Sequence, residues 1–460
     1  MTRNCVPSSF RDPSGFLFRS EGVLYRQVNE SYRENYDYLL SSGLYYDLVE
    51  AGLLIPHQEA VQQYTGAYRT LIPEVLDFIS YPYEWSFSQL KDAALVTLEI
   101  QKRALEFGMV LKDSSAYNVQ FHHGKPILID TLSFKKYRDG SAWIGYKQFC
   151  EHFLAPLALM SYKDVRLSQL LRVYLDGIPL DLTASLLSSR ARLNPGLLLH
   201  IYIHGTGQAK YADKTSSGIA KWRVSRKGLN RLVDNLKSCI EGLTWKPSGS
   251  GWTDYYGRTS NYTSKAEESK ARIVSEFLDR ARPKSVWDMG SNTGVYSRLA
   301  SRRGIRTLSI DADSACVDIN YRNAVREKDK NLLPLVIDLT NPSPGIGWMN
   351  EERQPLWSRG HADMALALAL VHHLAIANNL PFRMIAEFFH RICDKLVIEF
   401  VPKSDPKVKT LLANREDIFA DYSQGSFERE FGRLFAIDTS VPISDSLRTV
   451  YLMSKRGAGV

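Results

Sequence analysis

The stretch Ser285–Gly304, "SVWDMGSNTGVYSRLASRRG", decides the fold. A short apolar run meets Asp288, and Gly290 and Gly294 then open into "VYSRLASRR", expected to be a helix. Strand, glycine turn and helix make the first half of a βαβ unit, and glycines at that turn let the backbone approach a ligand closely. The pattern is D-x-G-x-x-x-G. A dinucleotide fingerprint would place a glycine where Asn292 stands, and a phosphate loop would follow its last glycine with Lys, where Val295 stands.

Outward from this loop, helical and strand-like pieces alternate from Ser269 onward: "SKARIVSEFLDRAR", "RTLSIDAD", "ACVDINYRNAVREK", "LLPLVIDL", "ADMALALAL", "PFRMIAEFFHRIC" and "DKLVIEFV". Such alternation implies a parallel sheet covered by helices on both faces. "RLFAIDTSVPIS" and "LRTVYLMSKR" read as two closing strands joined by a turn. The remaining common occupant of the glycine turn is S-adenosylmethionine, a sulfonium without phosphates, which calls for a carboxylate and close backbone. Asp311 ends the second strand and is placed to accept hydrogen bonds from both ribose hydroxyls. Asp338 ends the third and could meet an adenine amino group; a bare helix-capping role is the alternative for such acids. Asp363 lies in the fourth.

"VWDMGSNTG", "LSIDAD", "LVIDL", "DMALALALVHHL" and "LVIEFV" resemble the ordered motifs of class I S-adenosylmethionine-dependent methyltransferases, over about Ser269 to Lys455. The resemblance implies an α/β, Rossmann-like domain with a seven-stranded sheet whose last strand is antiparallel. It implies that Asp288, Gly290, Asn292 and Gly294 line the methionine end of the cofactor, Asp311 the ribose, and Asp338 with Leu339 the adenine. A segment over the cofactor would then fall in "DYYGRTSNYTSKAEESK", with Tyr256 and Tyr262 as contacts. No metal is implied there. His372 and His373, after the fourth strand, stand where an acceptor would approach, and a neutral histidine can take a proton; packing and helix capping are the alternative. Glu399, ending the fifth strand, is the other acid expected to face that cleft. No N-P-P-Y-type clamp follows strand four and no Pro-Cys pair exists, which argues against nucleobase amides and cytosine C5. An O or N acceptor on a glycan, small metabolite, peptide or protein remains.

The first half carries a second constellation. "GFLFRSEGVLYRQV" reads as a hairpin and "SFSQLKDAALVTLEIQKRALEFGM" as a buried helix. After that helix Asp113 and Asn118 stand as D-x-x-x-x-N, and "ILIDTLSF" places Asp130 at a strand end. Over about Gly15 to Leu199 this resembles the protein-kinase-like fold, including aminoglycoside phosphotransferases, and implies an α+β domain. In that family the first Asp positions the acceptor hydroxyl, and the residues matching Asn118 and Asp130 bind magnesium with ATP. The chain departs from the pattern: Leu111 and Lys112 replace the usual lead-in, Thr131 and Leu132 follow Asp130, no glycine-rich loop precedes, and Arg26 is a poor stand-in for the phosphate-binding lysine. A recognition role is favoured over phosphotransfer. The joint architecture, with "RDPSGFLF", "SYPYEWSF", "KDSSAYNVQF" and "IDTLSF", resembles bacterial NoeA-type methyltransferases.

The expected organisation is a kinase-like recognition domain over 1–243, a linker and cofactor-covering segment over 244–264, and a methyltransferase domain over 265–460. The 460 residues carry a net charge of +8, with eight basic residues between Lys210 and Lys237, which fits RNA, an acidic glycan, an anionic membrane surface or simply a solvated helix face. Five scattered cysteines argue against a disulfide framework and a zinc ribbon. "MALALALVHHLAIA" is shorter than the ~20 residues of a membrane span, and the N-terminus has no signal-peptide core, so a cytoplasmic enzyme is expected. The alternatives are a bifunctional methyltransferase and phosphotransferase, a non-catalytic cofactor-binding scaffold, and an RNA-binding methyltransferase.

Overall fold

The computed structural model describes residues 4–62, 64–203, 224–246, 263–413 and 416–457. They form two compact units, Met1–Lys246 with Gly345–Gln354, and Pro247–Pro344 with Pro355–Val460. The ten-residue segment Gly345–Gln354 follows strands of the second unit in the chain yet groups with the first. There Glu352 takes a two-pronged ion pair from Arg11, at 2.7 and 2.9 Å, and the Arg353 guanidinium lies 4.3 Å over the Tyr117 ring.

In the first unit, β1 (Asn4–Cys5), β2 (Gly15–Ser20), β3 (Val23–Asn29), β4 (His57–Glu59) and β5 (Ala67–Pro73) form an antiparallel sheet in the order β1-β2-β3-β5-β4. The expected hairpin is β2–β3, turned by Glu21 and Gly22, both with positive φ. Helix Phe87–Glu106 begins at Ser86, whose side chain and that of Gln89 cap each other's backbone N–H groups. Its face of Leu90, Ala94, Leu98 and Leu105 is buried, as the periodicity requires. Two short antiparallel pairs follow: β6 (Met109–Leu111) with β9 (Phe134–Lys136), and β7 (Val119–His122) with β8 (Lys125–Leu128).

The second unit holds a seven-stranded sheet: β10 (Ser285–Met289), β11 (Arg306–Asp311), β12 (Leu332–Val336), β13 (Ala362–Ala367), β14 (Cys393–Phe400), β15 (Phe435–Pro442) and β16 (Thr449–Lys455), in the order β12-β11-β10-β13-β14-β16-β15. The first five are parallel, and β16 inserts antiparallel to both β14 and β15. The order reverses beside β10, so the C-terminal ends of β10, β11 and β13 surround a topological switch point, where doubly wound sheets bind ligands. Buried Ile273, Val274, Phe277, Val286, Leu366, Val397 and Leu452 form the core between the sheet and helix Ser264–Ala281.

The first helix after β10 is shorter than expected and spans only Ser297–Ser301. Asn292 and Gly294, with positive φ of +50° and +78°, shape the turn that precedes it, as the glycine pattern requires.

Candidate active site

The loop after β10 is set by buried polar contacts. Asp288, 2 % exposed, accepts a 2.6 Å hydrogen bond from the Ser297 hydroxyl. That commits the only Ser297 proton, so Ser309 donates to Ser297 over 2.9 Å, and the Asn320 amide donates to Ser309 over 2.8 Å. Asn320 in turn accepts from Arg298, whose other terminal nitrogen donates to the Thr293 carbonyl at 2.7 Å. Gly294 sits against this chain with φ +78°, and a Cβ there would overlap the Asn320 carboxamide. Glycine is therefore required twice over. Burial pushes the Asp288 carboxyl up to about 6, against the pull of Ser297 and Lys270. Asp288 thus holds the loop from beneath.

Asp311 is placed differently. It ends β11 half-buried, and its carboxylate oxygens accept the backbone N–H groups of Asn292, at 2.7 Å, and Asp313, at 2.8 Å. Burial pushes it up to about 6 also, opposed by those same N–H donors. Neighbouring Ser291 is buried, and its Oγ has no hydrogen-bond partner among the described residues. A buried hydroxyl left without a partner beside an oriented carboxylate is what a polar ligand would complete. Asp338 lies exposed just past β12, and its Oδ1 accepts from the Thr340 N–H and hydroxyl at 2.8 and 2.7 Å, with Leu339 between them. This local turn is the structural role such acids often take.

Asp363 belongs elsewhere. It stands near the start of β13, where its carboxylate accepts from the Lys284 and Ser285 backbone at the opposite end of the sheet. The expected tyrosine contacts, Tyr256 and Tyr262, lie outside the described residues, as do Lys210, Lys214, Lys221 and Arg223 of the basic run.

Glu399 does not face an open cleft. Wholly buried on β14, it accepts from Lys270 at 2.6 Å, from the Ala369 N–H at 2.8 Å and from Arg448 at 3.3 Å. Arg448 also pairs with Asp405 at 2.7 Å, so two cations and two anions neutralise one another inside the unit. Lys270 also lies 4.7 Å over the Tyr296 ring. Ala369 has φ +51°, a strained conformation for a residue with a Cβ, and it heads the turn that carries the two histidines. Glu399 therefore fixes that turn.

His372 and His373 lie with ring centroids 4.2 Å apart. His372 is buried, and its Nδ1 has no hydrogen-bond partner among the described residues. Burial holds His372 well below the usual imidazole range, with His373 and Arg448 adding to it; burial and Arg448 push His373 down to about 4. Both rings are neutral at neutral pH.

In the first unit, Arg26 on β3 donates to Asp130 at 2.7 Å and to Asp12 at 3.1 Å. The other Asp130 oxygen accepts from the Ser133 hydroxyl at 2.6 Å, and Asn118 donates to Ser133 at 3.2 Å. Asp113 accepts the Ser115 N–H at 3.1 Å, and burial and Asp130 raise its carboxyl above the ordinary value. Asp113, Asn118 and Asp130 are thus brought together. Arg26 already supplies the cation at Asp130, so a magnesium ion there would have to share the carboxylate with a guanidinium or displace it.

No family model matches the chain. The nodulation protein NoeA of Rhizobium meliloti (strain 1021) is 36% identical over 459 residues, covering 98% of this chain and 96% of that one. The chain belongs to the NoeA family. Among solved structures, the bifunctional kinase-methyltransferase WbdD overlaps 44% of this chain and 42% of its own, at TM-score 0.30 and 15% identity. The N-methyltransferase NodS from Bradyrhizobium japonicum WM9 overlaps 42% of this chain and 98% of its own, at TM-score 0.32 and 9% identity. Likenesses this distant carry no argument about function.

Within this family member, the residues that sequence reading missed are Lys270, Ser297, Arg298, Ser309, Asn320, Asp405 and Arg448. Each is an ordinary polar residue in its own segment. Only Lys270 left a trace, as a lysine on the inward face of an amphipathic helix.

Proposed function

We propose that this protein is an S-adenosylmethionine-dependent methyltransferase acting on an O or N acceptor of a glycan, small metabolite, peptide or protein. The observation that carries it is Asp311, a carboxylate oriented by two backbone N–H groups at the switch point of the sheet, above a glycine turn with no phosphate-binding features. When bound, S-adenosylmethionine supplies an already activated methyl group. The protein then has to hold the donor, place the nucleophile in line and manage one proton. Asp311 would accept the ribose hydroxyls, Gly290 and Asn292 would lie along the methionine portion, and Asp338 with Leu339 would border the adenine. Asp288 and the Ser297–Ser309–Asn320 chain fix the loop from below. His372 and His373, both neutral, can accept a hydrogen bond from an acceptor hydroxyl or amine and orient its lone pair. Glu399 is a positioning residue, since Lys270, Arg448 and Ala369 occupy it.

The first unit serves, in this reading, as a recognition module without phosphotransfer, a reading supported by the Arg26 guanidinium standing as the cation paired with Asp130. Calorimetry with S-adenosylhomocysteine tests the main reading: saturable binding that Asp311→Ala weakens about a hundredfold supports it, and absence of binding by the unaltered protein rejects it. A screen of cell fractions with labelled S-adenosylmethionine then identifies the acceptor.

A further inference from the structure

We infer a second ligand site in the first unit: Glu74, His122 and His123 form a surface site for an imidazole-preferring divalent transition metal of the zinc class. Among the described residues these three bring one carboxylate oxygen and two imidazole nitrogens within 4.8 Å of one another. Ligands about 2.1 Å from a tetrahedral zinc stand roughly 3.4 Å apart, so small side-chain rotations suffice.

The backbone explains why two adjacent histidines converge. Neighbours on a strand point to opposite faces, so a consecutive pair does not ordinarily share a ligand. Here His122 ends β7, and His123 with Gly124 forms the two-residue turn into β8, with φ of +49° and +74°. The left-handed step at His123 cancels the alternation, and the ring centroids come to 3.9 Å. His122 Nε2 lies 2.9 Å from Glu74 Oε1, an arrangement in which a proton occupies the position a metal would take. A shift of that proton to Nδ1 frees Nε2 as a ligand with no net proton released. His123 and Glu74 are exposed and His122 half-buried, which leaves coordination positions open to water. Lys125, the cross-strand neighbour of His122, is exposed and can turn its charge to solvent.

The surroundings are rigid. Gln120 shares a strand face with His122, two residues away, and both address the segment after β5. The Gln120 amide accepts from the Ser80 N–H at 2.9 Å and donates to the Ser80 carbonyl at 2.8 Å, in buried surroundings. Glu74 and Ser80 lie at the two ends of one short segment, so a metal on Glu74, His122 and His123 would staple the junction that Gln120 already clamps. This site is independent of the methyl-transfer reading.

The test uses the full chain without a polyhistidine tag, titrated with zinc chloride in a calorimeter, and cobalt chloride followed by visible absorption. The expected result is one saturable site with nitrogen and oxygen ligation and no thiolate charge-transfer band. His122→Ala/His123→Ala should weaken it at least a hundredfold, and Glu74→Gln about tenfold. Zinc should also raise the melting temperature of the unaltered protein and leave that of the double variant unmoved. These side chains are at the surface, so the variants should keep the unaltered far-ultraviolet spectrum. No saturable binding below about 100 μM, a thiolate spectrum from Cys5, or binding that survives the double substitution would overturn the assignment.

Discussion

Two aspartates at strand ends, Asp311 and Asp130, look alike in sequence and are opposite in chemistry. Asp311 is held by backbone N–H groups, which orient a carboxylate without neutralising it and leave acceptor capacity for a ligand. Asp130 is held by the Ser133 hydroxyl and by the Arg26 guanidinium, which sets a counter-charge against it. What separates the two strand-end acids is the counter-charge: the protein supplies one to Asp130 and none to Asp311.

The largest effect should come from the lattice beneath the histidine turn. Lys270→Met leaves Arg448 as the one cation facing buried Glu399 and Asp405 and should cost about 3–5 kcal/mol by chemical denaturation; a loss under about 1 kcal/mol would mean that Lys270 and Glu399 are not a buried pair in solution. Asp311→Ala should weaken S-adenosylhomocysteine binding about a hundredfold, through two lost hydrogen bonds to a charged group. Asp130→Ala should leave that affinity within about twofold while lowering stability by roughly 1–3 kcal/mol, since it leaves Arg26 short of a partner. Equal effects of the two substitutions on binding would erase the contrast.

Acidity sharpens the contrast further. Asp311 and Asp288 sit near 6 when folded, above their ordinary 3.8, so the folded state holds extra protons between those values. Their contribution to stability is present below about pH 4 and is lost as pH rises through 6. Cofactor affinity should run the other way, falling about tenfold from pH 7 to pH 5 as Asp311 loses its charge. Calorimetry and melting across that range should show opposed trends; parallel trends would assign the titration to other groups. The smallest expected effect is in the first unit, where magnesium with ATP should shift the melting temperature by less than about 1 °C. A shift of several degrees that Asp130→Ala removes would show that the Arg26 pair opens for a metal.

Much of the second unit was legible along the chain. Alternating strands and helices, a glycine turn and strand-end acids are local patterns with fixed periods, and each of the seven strands lies where its apolar run stands. The helix after Gly294 came out shorter, Ser297–Ser301, because residue type alone does not mark where a short helix starts and stops. Glu399 looked like an acid facing the acceptor because it ends a strand at the ligand edge. Its partners, Lys270 and Arg448, come from other segments, and no spacing rule links them.

The sequence by itself determined the order and type of the elements, the switch-point turn and the residue types around it, since hydrophobic period and glycine placement act over a few residues. Only the tertiary structure decided which acids are free. Whether a carboxylate meets an N–H, a guanidinium or an ammonium depends on chain positions far apart, as with Arg26 and Asp130, 104 residues distant. The same packing left His372 Nδ1 and Ser291 Oγ without partners among the described residues. Burial then fixes the charge each group can carry, because removing water disfavours every ion that has no counter-charge or donor at hand.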